Sequence, residues 1–170
     1  AISLYLILVF PISNSLKERT LGSFPFNLVE FLKENNIKGK MFSPYFYSSY
    51  ISYKTYPNIK IFIDGRQEQV WDYDIFDRVM FFMYKMESKN PIIEDYEPDM
   101  LLVENGWLYE LYIKENIDKY KLIYDDRFYR LYIKKVLAKN HYKQVNIDPQ
   151  YAMDTILDTD IDFKKRWKYY

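Results

Sequence analysis

The chain has no cysteine, a single histidine and only four glycines among its 170 residues. Without cysteine there is neither a disulfide framework nor a thiolate metal site, and that absence fits a reducing or an oxidising compartment equally. His141 stands alone in a polar stretch, so a histidine triad or a multi-histidine metal centre has no second member to draw on. The glycines are isolated. Neither G-x-G-x-x-G nor G-x-x-x-x-G-K occurs, which excludes nucleotide binding through the usual phosphate loops. Net charge is absent too: 24 Lys and Arg balance 24 Asp and Glu. No bulk field draws the chain to nucleic acid, and no nucleic-acid partner is expected.

What the chain does have is apolar and aromatic mass, 49% and 20% of its residues, enough to bury one good core in one domain. Nineteen tyrosines raise the question of a carbohydrate-binding surface, although scattered tyrosines most often serve as core or rim. The opening run AISLYLILVFPI stops at Pro11 and is too short to cross a bilayer, which takes about 20 apolar residues. It reads as a buried strand or as the end of a transmembrane helix. Residues 1–12 are thus an apolar segment, 13–23 a linker, 24–137 an α/β domain, and 138–170 a polar tail. That tail has a helical piece around Tyr151 to Leu157 and a basic aromatic end, FKKRWKYY.

Inside the domain, Leu28, Val29, Phe31 and Leu32 have helical spacing, and KMFS reads as a strand stopped by Pro44. YFYSSYISYK reads as an aromatic turn or short helix. IKIFID, lacking polar alternation, reads as a strand covered on both faces of a parallel sheet. A helix up to about Met86, a Pro-initiated turn at PIIEDY, the strand MLLV and a helix in WLYELYIKENIDKY follow. YKLIYDDRFYRLYIKK is a hairpin turning on Asp125-Asp126-Arg127. This rhythm predicts an α/β layered domain with a mostly parallel central sheet, an antiparallel edge hairpin and helices packed on the sheet.

Carboxylates carry the remaining chemistry. Asp64 falls at the carboxyl end of a strand, where open α/β sheets place ligand crevices, and Arg66 and Glu68 follow closely enough to share it. Asp72 and Asp74 open the next helix. Such a group can hold a hard cation or place an acid and a base. It can equally be an Asp-Gly turn that satisfies local backbone N–H groups, with Arg66 paired to Asp72 or Asp74.

Three stretches together, GKMFSPYFYSSYISYKTYPNIKIFIDGRQEQVWDYDIFDRVMFF, DYEPDMLLVENGWLYELY and YKLIYDDRFYRLYIKK, resemble the soluble C-terminal domain of bacterial polytopic membrane proteins. Those are C-type glycosyltransferases related to dolichyl-phosphate-mannose protein mannosyltransferases. The resemblance covers about Leu28 to Lys135. The family's Asn-Pro-aromatic block ending in Gly-Gly-Tyr-Leu stands here as Ser43-Pro44-Tyr45 through Ser48-Ser49-Tyr50-Ile51, and its Asp-Gly-Arg as Asp64-Gly65-Arg66. A more distant similarity is to the C-terminal domain of oligosaccharyltransferase catalytic subunits. Their Trp-Trp-Asp-Tyr-Gly block would fall at Tyr45 to Tyr50, where Trp, Trp, Asp and Gly are all missing, so its acceptor-reading role does not carry over.

The resemblance implies a membrane-anchored protein with this domain extracytoplasmic, periplasmic or extracellular, and with the membrane portion of the same parent as partner. In both groups the catalytic and metal-binding acids lie in loops of the membrane portion, so this region is expected to be non-catalytic, with no cofactor or metal of its own. Lys17 and Arg19 after the apolar run weigh toward a cytoplasmic flank under the positive-inside rule. The expected ligand is a sugar, a lipid-linked sugar or an acceptor. It would be held by rings of Tyr45, Tyr47 and Tyr50 and by hydrogen bonds from Asp64, Arg66 and Glu68. The alternatives are a free-standing hydrolase with Asp64 and Glu68 as acid and base, or a purely structural interaction module.

Overall fold

A computed structural model describes residues 24–65, 73–85, 91–104, 110–126 and 128–146. Residues 28–145 form one compact unit; the second, 1–27 with 146–170, is described only at 24–27 and 146. The predicted apolar segment, the linker, the helical piece at Tyr151 to Leu157 and the basic aromatic end therefore lie outside the described residues. So do Arg66, Glu68, Asp72 and Arg127.

The first helix, α1, runs Phe26–Glu34. It buries Leu28, Val29, Phe31 and Leu32 almost completely and ends where Asn36 turns to φ 47, a left-handed C-terminal stop that Asn tolerates. Strand β1 (Gly39–Phe42), helix α2 (Tyr45–Thr55) and strand β2 (Ile59–Ile61) follow. Then come α3 (Tyr73–Lys85), the short α4 (Pro91–Tyr96) and strand β3 (Met100–Glu104). The chain continues through α5 (Glu110–Glu115) to the hairpin β4 (Tyr120–Asp125) and β5 (Tyr129–Lys134). No helix among the described residues is long and apolar enough to cross a membrane.

The five strands form one sheet in the order β2-β1-β3-β5-β4. β1 pairs in parallel with both β2 and β3, while β5 runs antiparallel between β3 and β4. The predicted α/β class, with a parallel core and an antiparallel edge hairpin, is what the chain adopts. The order also corrects one expectation. IKIFID is not covered on both faces as a central strand: only Ile59–Ile61 is strand, it lies at the sheet edge, and Lys60 faces solvent. The fully buried strand is β3, whose Met100 to Val103 have no exposed surface.

Each face of the sheet has its own cluster of buried side chains. One joins α1 and Ile51 of α2 to Met41, Ile59, Met100, Leu102, Leu131 and Ile133. The other joins Val79 and Phe82 of α3, Ile92 and Ile93 of α4, and Tyr112 and Ile113 of α5 to Phe42, Leu101 and Val103. Alternate strand residues go to opposite clusters because the side-chain period of a strand is two. The helices divide between the faces for a topological reason. The crossover from β1 to β2 moves one way along the sheet and that from β2 to β3 moves back, so crossovers of one hand must lie on opposite faces.

Residues 138–145 lie on the first cluster through Ala138, Tyr142 and Val145. Asn35 ties them to α1. Its Nδ2 donates to the Phe31 and Lys143 carbonyls at 2.9 Å each, and its Oδ1 accepts the Lys143 N–H at 2.8 Å. The β4–β5 turn is organised by Asp126 as the sequence predicts. Its Oδ1 accepts the N–H groups of Phe128 and Tyr129 at 2.7 and 2.6 Å, and Tyr124 donates its hydroxyl to the other carboxylate oxygen.

Candidate functional site

In an open sheet with helices on both faces, the crevice lies at the carboxyl ends of the parallel strands, between two strands whose outgoing chains leave to opposite faces. Here those strands are β1, which leads to α2 on one face, and β3, which leads to α5 on the other. Ser43 follows β1 and Glu104 closes β3. Asp64 stands one strand further out, beyond the carboxyl end of the edge strand β2.

The start of α2 organises this end of the sheet. Ser48 and Ser43 share a hydrogen bond between their buried hydroxyls at 2.8 Å, and Ser48 Oγ also lies 2.9 Å from the Pro44 carbonyl. One residue on, the Ser49 hydroxyl accepts the Gly65 N–H at 2.9 Å. The Asp-Gly turn is therefore fastened to α2, and it places the Asp64 side chain inside, at 4% exposure. A Cβ at Gly65 would come within 2.9 Å of the Ser49 oxygen, so a larger residue there would displace that hydroxyl. Among the described residues no three His, Asp or Glu side chains gather as a metal site.

The three tyrosines expected to form a stacking platform do not lie together. Tyr45 is half-buried against the second cluster, edge-on to Phe76 of α3 at 5.6 Å. Tyr47 and Tyr50 pack on the first cluster. The reason is helical geometry: residues two apart on a helix point to different sides. Tyr47 meets Tyr129 of β5 edge-on at 5.5 Å. Burial raises the Tyr47 phenol, the hydrogen bond with Tyr129 lowers it, and the charge of Glu104 raises it. Burial first, and the charge of Glu30 second, push Tyr50 well above the ordinary tyrosine value. Tyr129 is raised by burial, then by its hydrogen bond with Tyr47. All three hydroxyls are held protonated near neutrality.

Glu104 and the Ser43–Ser48 pair are the strand-end groups that the sequence reading passes over. Glu104 was open to the same rule that selects Asp64, being a carboxylate that closes a buried apolar strand. The two serines fall in the block that carries the resemblance, but their hydroxyls, five residues apart, meet only because the chain turns into a helix at Pro44.

The amino ends of the same strands are built differently. The Asp99 carboxylate accepts the Lys40 N–H at 2.8 Å, the Asp99 N–H donates to the Lys40 carbonyl at 2.8 Å, and the Lys134 N–H donates to the Asp99 carbonyl at 2.9 Å. Lys40 Nζ donates to the Tyr96 carbonyl at 2.9 Å, and the Tyr96 hydroxyl donates to the Lys60 carbonyl at 3.0 Å. That end is a clasp of backbone and side chain. What the fold defines is thus an open α/β domain with one clasped end and one end carrying a carboxylate and hydroxyls. No protein-family model, curated protein or solved structure matches the chain.

Proposed function

We propose that this chain is an extracytoplasmic accessory domain of a membrane glycosyltransferase-like protein, non-catalytic by itself, that binds a lipid-linked sugar or its acceptor at the carboxyl ends of β1, β2 and β3. One observation carries the ligand site. Asp64 is buried beside a turn that Ser49 fastens to α2, with the Ser43–Ser48 hydroxyl pair on the same end of the sheet. A carboxylate with neighbouring hydroxyls is the chemistry that reads sugar hydroxyls. The membrane and glycosyltransferase parts of the reading rest on the resemblance alone. Arg66 and Glu68 belong to the proposed site as neighbours of Asp64 in sequence.

A second reading, a purely structural interaction module, is favoured by the burial of Asp64 and by the packing of Tyr45, Tyr47 and Tyr50 into the two clusters. Fractionation of source cells, followed with an antibody to this domain, tests the membrane part. A detergent-extracted band well above the chain's own 20.9 kDa is expected; a soluble band at that mass contradicts the proposal.

A further inference from the structure

No further inference is drawn: the strongest candidate, the surface patch formed by the exposed rings of Phe46 and Tyr53 on the outer side of α2 with Tyr56 just past its end, carries nothing because nothing in the structure shows what covers it.

Discussion

The two ends of the parallel strands make opposite use of similar chemistry. At the amino end, Asp99 spends its carboxylate and its backbone on β1 and β5, and Lys40 and Tyr96 close over the gap. Every polar group named there binds the fold to itself. At the carboxyl end, Ser43 and Ser48 join their hydroxyls, and the Ser49 hydroxyl of α2 accepts the Gly65 N–H beside the buried Asp64. A sheet held at one end can vary the other, which is why ligand sites in such folds occupy the loops after the strands. The comparison predicts that substitutions at the clasped end cost stability, whereas those at the carboxyl end cost binding.

The largest effect should come from Gly39→Ala. Gly39 has φ +139, and a Cβ there would lie 2.6 Å from the Asp99 oxygen that accepts the Lys40 N–H. About 3 kcal/mol of stability should be lost in denaturant unfolding. Asp99→Ala leaves that N–H without its acceptor and should cost about 2 kcal/mol by the same measurement.

Alkali attacks the same end. Tyr96 and Tyr120 are pushed up to about 12, by burial first, with the charge of Asp99 contributing to each. Their folded values lie above the ordinary 10.0, so the fold favours the protonated phenol. Stability is whole below pH 10 and falls as pH rises through about 12. Unfolding midpoints followed by circular dichroism across that range check the sign, and Asp99→Asn, which removes a charge that raises both phenols, should make the decline smaller and end it at lower pH.

The carboxyl end should respond least in stability. Ser48→Ala, which removes a buried hydroxyl from its Ser43 partner, should cost about 1 kcal/mol. Ser49→Ala, at an exposed position, should cost about 0.5 kcal/mol while loosening the Gly65 turn. A loss at Ser49 as large as that at Gly39 would erase the distinction between the ends.

Much of the fold was legible because its signals are periodic. Leu28, Val29, Phe31 and Leu32 declare α1, and Met100 to Val103 declare β3 by an unbroken apolar run. β2 was misread because apolar content does not distinguish a strand covered by two neighbours from an edge strand whose following residues, Phe62 and Ile63, pack against helices. α2 was only half legible. Its fully buried line is Ser48, Ile51 and Thr55, and its rings divide between the clusters and the surface, so no single stripe of large apolar residues marks it. The strand-end position of Asp64 was legible, since it follows the apolar run that contains β2. The packing of Tyr45, Tyr47 and Tyr50, which the resemblance and their place after a strand selected, was not legible, because helical geometry separates them between two clusters.

The most direct test of the central claim is a titration of the labelled full chain with a short-chain prenyl-phosphate hexose, followed by backbone amide resonances. The account predicts saturable shifts at Ser49 and Gly65, abolished by Asp64→Asn, with Lys40 and Asp99 unmoved. Shifts confined to Lys40 and Asp99, or none at any concentration, would contradict it.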